Sequence, residues 1–273
     1  MNFKQLMNPI FIFWNLWRQR ELIVQLTKRD IIGRYKGSCF GILWSFITPI
    51  FMLIVYTFVF SVVFKAKWGV GSDSKVEFAM VLFCGLNAYN IFSECINRAP
   101  GLILNNANFV KKVVFPLEIL PIVVIGSALI NGCIGFLVLM AGVVFFMGIL
   151  NWTVLFLPLV LLPLLLLTLG LSWFLASLGV FLRDIGQVVT VLISALLFAS
   201  PIFYPITAIP EELQKLFYLN PISYIVQDLR RIFIWGQMPD WDWLLAGITI
   251  GIFVTALGHA WFQKTRGGFA DVL

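Results

Sequence analysis

A single histidine, four cysteines and a charged fraction of only 12% leave this 273-residue chain few groups for covalent chemistry. His259 stands alone, so the chain supplies no histidine cluster for a metal; no Ser/His/Asp set is apparent either, and the residue reads as structural. Cys39, Cys84, Cys95 and Cys133 fall in apolar stretches at irregular spacings. They read as small apolar side chains, not as a disulfide framework or a zinc site. The phosphate-cradling pattern Gly-x-x-x-x-Gly-Lys-Ser/Thr is absent, so energy for active work would come from a partner or an ion gradient. An ion-coupled carrier would want carboxylates within the membrane. Glu94 is the one clear case, near a span end and beside Arg98, and no inverted repeat is visible. A membrane enzyme that modifies glycans would need acids or histidines clustered at one face. Glu211, Glu212 and Asp228 read instead as helix starts and solvated faces.

What the chain has in abundance is apolar length. Hydrophobic residues make up 60% of it, and the mean hydropathy is +0.96, outside the range of ordinary soluble domains. A run of about 20 apolar residues spans a bilayer. Six runs qualify: Cys39–Phe64, Phe78–Asn97, Leu117–Ile149, Thr153–Leu182, Gln187–Phe203 and Trp243–Phe262. The predicted fold is an all-α integral membrane protein of six transmembrane helices within a single transmembrane domain over residues 1–273. An amphipathic interface helix over residues 9–29 precedes the six-span region over 39–262. A re-entrant cap over 204–241 lies between spans five and six. Lys4, Arg18, Arg20, Lys28, Arg29, Arg34 and Lys36 crowd the leading segment, and Arg98, Lys111, Lys112, Arg183, Lys264 and Arg266 mark the same side. The opposite loops, which hold Arg230 and Arg231 among others, balance their bases with acids. By the positive-inside rule both termini are cytoplasmic. The basic pI is therefore a topology signal, and dispersed charges of this kind do not suggest nucleic-acid binding. No cleavable signal peptide is expected, because a long charged segment comes before the first apolar run.

Three local patterns carry functional meaning. In residues 9–29, Phe13, Leu16, Trp17, Ile23 and Val24 share one helical side and Asn15, Arg18, Gln19, Gln25 and Arg29 the other, as in a helix lying in the membrane interface. It can serve as an anchor, as a collar around an entrance, or as both. Span two carries a polar stripe of Asn87, Asn90, Glu94, Asn97 and Arg98, either an interhelical seam or a pathway lining; Glu94 and Arg98 are spaced to pair. Span one carries Phe40, Trp44, Phe51 and Phe58 within about 40° of one another. Aromatic faces stack on sugar rings, or pack against lipid. Between Pro201 and Trp241, five prolines break the apolar pattern into short pieces. This suggests half-helices, with Pro210-Glu211-Glu212 starting one of them.

Several segments in fixed order resemble the permease subunits of type-2 ABC exporters that move polysaccharides such as O-antigen, capsule and teichoic acid. They are Leu26-Thr-Lys-Arg-Asp-Ile-Ile-Gly-Arg-Tyr-Lys-Gly-Ser38 with Gly41-Ile-Leu-Trp44 and Pro49; Asn108-Phe-Val-Lys-Lys-Val-Val-Phe-Pro-Leu-Glu-Ile-Leu-Pro121; Phe181-Leu-Arg-Asp-Ile185; Ser200-Pro-Ile-Phe-Tyr-Pro205 with Leu219-Asn-Pro-Ile222; and Phe269-Ala-Asp-Val-Leu273. The resemblance covers essentially the whole chain and leans toward the O-antigen type. It implies a half-transporter that pairs with a second copy of itself and docks two P-loop ATPase subunits. ATP and magnesium would be bound by those subunits, with no cofactor in this chain. Asn108, Phe109, Val110, Lys111, Lys112 and Val113 would form the segment coupled to the ATPase. Arg29, Arg34, Tyr35 and Lys36 would meet the diphosphate head group of a lipid-linked glycan, since arginine forks suit phosphate oxygens. Phe40, Trp44, Phe51, Phe58, Asn87, Asn90, Phe203, Tyr204 and Tyr224 would line the channel. A type-2 exporter of a small hydrophobic compound shares the architecture and is the nearest alternative.

Overall fold

The computed structural model describes residues 9–63, 68, 75–110 and 115–273, and among them the regular structure is helical throughout. The helices are α1 (Pro9–Arg18), α2 (Arg20–Tyr35), α3 (Trp44–Tyr56), α4 (Lys75–Arg98), α5 (Ala107–Val110), α6 (Leu120–Met147), α7 (Leu157–Phe181), α8 (Ile185–Phe198), α9 (Glu211–Leu219), α10 (Pro221–Phe233), α11 (Trp241–Thr265) and α12 (Phe269–Val272). Four helical stretches are long and apolar enough to cross a membrane: Val76–Arg98, Leu117–Met147, Trp152–Phe181 and Trp241–Val272. They match expected spans two, three, four and six. The first and fifth expected spans correspond to shorter apolar helices. α3 contains Pro49 and passes into a wider π-helical stretch, Thr57–Val63. α8 has 14 residues, about 21 Å at 1.5 Å per residue, against an apolar slab of about 30 Å.

α4 is the centre of the molecule. Val81, Cys84, Ala88 and Cys95 are buried along it, and α3, α6, α7, α8 and α10 all pack on it. On the far side α7 and α11 run together as the most extensive helix pair. Gly170 and Gly258 make that closeness possible. A Cβ on Gly258 would collide with the Gly170 carbonyl, and one on Gly170 with the backbone at Val254 and Thr255. Thr255 adds a hydrogen bond to Leu166 O at 2.7 Å. Small residues that bring backbones together replace the hydrophobic drive that lipid removes. Gly258→Leu should therefore lower the thermal midpoint in detergent sharply, at a cost of about 3 kcal/mol. Gly267→Ala, whose added methyl meets nothing within 4 Å, should not. Equal midpoints for the two variants would sink this account of the α7–α11 pair.

Two expectations change. The amphipathic segment is not one helix over 9–29: it breaks at Gln19, and its second half continues to Tyr35. The break splits the apolar side as well. Leu16 and Ile23 turn inward onto Leu26, Ile119 and Val123, while Phe13, Trp17 and Val24 stay exposed. α2 also climbs along α6, from Leu26 packed against Ile119 and Val123 to Tyr35 bonded to Asn131, so it is not a free-lying surface helix.

Arg230 is the second change. Expected as a loop charge, it is fully buried on α10. It donates to Val81 O at 3.1 Å, Pro201 O at 2.8 Å and Ile202 O at 2.9 Å, and its guanidinium lies 4.2 Å from the Trp68 ring. It ties α10 to α4 and to the turn after α8. Asp228, also expected on a solvated face, is buried and accepts from the Asp240 backbone N–H at 3.0 Å, which pins the start of α11. Asn220 caps α10 through Ile222 N at 3.0 Å and reaches Ser200 Oγ at 2.8 Å.

Candidate functional site

A polar cleft opens where α2 meets α4. Its volume is about 770 Å3, and Arg29, Asp30, Gly33, Arg34, Glu94 and Arg98 line it. Helical spacing supplies the parts. Asp30 and Arg34 lie four apart on α2, and Glu94 and Arg98 four apart on α4, so each helix offers one acid and one base on a single face. Packing the two faces together makes a closed quartet. Arg34 grips both oxygens of Glu94, with Nη1 3.1 Å from Oε2 and Nη2 bonded to Oε1, and Nη2 also donates to Ser127 Oγ at 3.1 Å. Arg98 forks onto Asp30 at 2.6 and 3.1 Å and reaches Glu94 at 3.3 Å. Burial alone would raise the Asp30 carboxyl. The hydrogen bonds from Arg98 and Ser127, with the charges of Arg98 and Arg34, hold it instead below its usual value of 3.8. The Asp30 bridge therefore persists through neutral pH and is lost only as pH falls through that lowered value.

A second polar pocket of about 230 Å3 adjoins the cleft and shares Arg34 and Glu94 with it. Tyr35, Asn87, Asn90 and Asn131 are among its walls. Most of the expected stripe on span two is thereby drawn into one polar tract, with Asn87 also donating to Gly132 O at 2.9 Å as an interhelical seam. Lys36 stands apart from both cavities, exposed at the end of α2. Arg98 was not among the residues expected at the entrance. Its sequence signals are its place on the polar stripe of span two, its four-residue spacing from Glu94 and its share in the basic residues of the cytoplasmic side.

Trp44, at the start of α3, is one wall of the second pocket, with Phe40 just before the helix, Phe51 on it and Phe58 in the π-helical stretch that follows. Phe40, Trp44, Phe51 and Phe58 are all exposed, Phe51 at 62%. Trp44 is held by its indole N–H on Ser38 Oγ at 2.8 Å and by edge contact with Phe40. Phe203 meets this helix through Tyr56, with centroids 6.4 Å apart, and stacks on Phe198 at 5.7 Å. Tyr204 bonds to Phe198 O and packs on Phe217. Phe198 was not singled out from sequence, though it lies just ahead of the Ser200-to-Pro205 motif. Tyr224 does not join this group. It stacks on Trp243 at 3.9 Å in an apolar cavity between α7, α10 and α11.

The segment expected to couple to a partner is the short helix α5. Phe109 stacks on Phe115, with centroids 4.2 Å apart and planes at 10°, and the Arg29 guanidinium lies 5.9 Å from the Phe109 ring. Val110 packs on the core. Asn108 lies on α5 beside them, while Lys111, Lys112 and Val113 lie outside the described residues. Behind Phe115 a buried carboxylate organises the junction. Glu118 accepts from Arg266 at 2.9 Å and from Asn15 at 3.3 Å, its backbone carbonyl accepts the Trp173 indole N–H at 2.9 Å, and Arg266 also donates to Phe115 O at 3.1 Å. In the sequence Glu118 stands only as a member of the Asn108-to-Pro121 segment, with no role of its own. His259 is buried edge-on against Trp173, and among the described residues no group of three or more His, Cys, Asp or Glu side chains is placed to hold a metal ion.

Four helical stretches long and apolar enough to cross a membrane, with a polar tract beside them, define a multi-pass helical membrane protein. The chain matches the family described as ABC-2 type transporter over residues 21–234, and it belongs to that family. It is 29% identical to the O-antigen export system permease protein RfbA of Myxococcus xanthus over 94% of this chain and 96% of that protein. It is 26% identical to the protein of the same name from Klebsiella pneumoniae over 95% and 98%. It is 25% identical to the polysialic acid transport protein KpsM of Escherichia coli over 81% and 84%.

Proposed function

We propose that this chain is the membrane-spanning subunit of an ATP-driven exporter that carries a lipid-linked polysaccharide, O-antigen on a polyprenyl diphosphate, across the cytoplasmic membrane. The observation that carries this reading is similarity along 94–95% of the chain to permeases named for O-antigen export. Two copies form the pathway and two P-loop ATPase subunits drive it, binding ATP and magnesium themselves. Both termini face the cytoplasm, in keeping with the basic residues of the leading segment. Six spans are completed by α3 and α8, with α9 and α10 as re-entrant helices on the outer side.

In this mechanism the diphosphate meets Arg29 and Arg34 at the cleft, with Tyr35 at its inner edge and Lys36 as an exposed cation at the end of α2. The glycan passes Asn87 and Asn90 and slides along Phe40, Trp44, Phe51 and Phe58, then Phe203 and Tyr204. Tyr224 stands off this path in the present conformation. ATP-driven closure of the partners moves Asn108, Phe109 and Val110, with Lys111, Lys112 and Val113 completing the docking segment. Phe109 passes the motion to α2 through Arg29 and to α6 and α11 through Phe115.

The test is co-expression with the ATPase of the same operon and purification in mild detergent. A particle of two permeases and two ATPases is expected, and repeated recovery without an ATPase would overturn the reading. Phe51→Ala with Phe58→Ala should cut surface polymer at least tenfold while the particle still assembles. Undiminished export would assign those rings to the lipid.

A further inference from the structure

We infer that Asp30 and Glu94 act as an internal carboxylate lock, occupying in the resting protein the two arginine forks that an incoming diphosphate takes over, and that Arg98 is the second phosphate-binding arginine. The inference rests on the head-group reading above and adds its regulation. Three observations support it. First, both guanidinium groups are already set in the two-pronged geometry that phosphate oxygens use, Arg34 on Glu94 and Arg98 on Asp30. Second, the quartet is neutral and open: its side chains are 24–35% exposed and all four line the cleft. Solvent-reachable pairs of this sort contribute little to stability, so they can exchange partners at small cost. Third, the bridges cross between helices. Arg34–Glu94 and Arg98–Asp30 join residues 60 and 68 positions apart, and they are what binds the polar faces of α2 and α4 together.

The exchange has a mechanical consequence. A diphosphate that takes both arginines leaves Asp30 and Glu94 facing each other without their cations, and like charges at short range repel. α2 is then released from α4 at the same turn where Arg29 rests over Phe109. Arrival of cargo is thereby signalled to the coupling segment, and an empty transporter stays latched.

The experiment uses the assembled complex in lipid nanodiscs with farnesyl diphosphate as the probe and inorganic pyrophosphate as the second arm. Asp30→Asn and Glu94→Gln remove one competitor each while keeping shape. Each should tighten farnesyl diphosphate binding about fivefold, the upper range for a partly exposed pair. The gain should vanish in high salt, where the competing pairs are screened. Arg34→Gln and Arg98→Gln should each weaken binding at least tenfold. Binding is scaled to the folded fraction, and if one acid variant misfolds the other carries the test. Unchanged or weaker binding in the acid variants, with arginine dependence intact, overturns the lock and leaves the head-group reading standing. Full binding by both arginine variants overturns the head-group reading itself. Pyrophosphate should tighten by the same factor but bind more weakly throughout, and pyrophosphate binding as tight as that of farnesyl diphosphate overturns the assignment to a lipid-borne anion.

Discussion

Arg230→Met should leave almost no folded protein, seen as loss of the monodisperse peak in fluorescence-detected size exclusion and loss of the band from the membrane fraction. Methionine keeps much of the volume, so the experiment removes the hydrogen bonds and the cation over Trp68 without opening a large cavity. Three backbone carbonyls, at Val81, Pro201 and Ile202, lose their donor together. Val81 O keeps its helical partner within α4, whereas Pro201 O and Ile202 O are left unpaired at about 1–3 kcal/mol each, and with the cation lost from the Trp68 ring the total is a large part of the stability of an ordinary domain. Arg230→Lys should be almost as harmful, because one ammonium cannot span three carbonyls held in a fork. Arg231, one position on, donates to Met238 O at 2.9 Å in an exposed setting, and its alanine variant should change little. A well-folded Arg230→Met protein would show that Pro201 and Ile202 are held by something other than this side chain.

The second large effect is expected at Glu118. Arg266→Ala leaves that buried carboxylate without its cation, a change that costs about 3 kcal/mol where the group stays charged. It also frees Phe115 O, and with it the ring on which Phe109 stacks. Under the proposed mechanism this loosens the seat of the coupling segment. Surface polymer should fall at least tenfold while ATP hydrolysis by the complex stays within about twofold of wild type. A purely structural role would lower both in step with the amount of folded complex. Glu118→Ala combined with Arg266→Ala should be better tolerated than Arg266→Ala alone, since it removes the stranded charge. Export that tracks hydrolysis in both variants would deny the junction any part in coupling.

How much of this was visible beforehand depends on the range of each interaction. The four longest apolar helices were legible because each is an uninterrupted run whose length alone implies a span. α3 and α8 were legible as apolar but not in extent, since Pro49 and Pro201 interrupt the pattern without saying whether the chain turns. The pairing of Glu94 with Arg98 follows from spacing on one helix. The pairing of Arg34 with Glu94 does not, because it depends on how two helices pack across sixty residues. Arg230 was misread for a related reason. In a proline-rich stretch a charge looks like a loop residue, and only the fold shows three carbonyls converging on it. The break at Gln19 escaped because the apolar periodicity runs on across it, while Leu16 and Ile23 face protein and Trp17 does not.

The junction at Glu118 has a consequence for the order of folding. Asn15 lies 103 positions before that carboxylate and Arg266 148 positions after it, yet both meet it. Closing loops of that length costs entropy that contacts between neighbouring turns do not, so such contacts form after the intervening helices have packed. The seat of Phe115 is therefore among the last parts of the molecule to close.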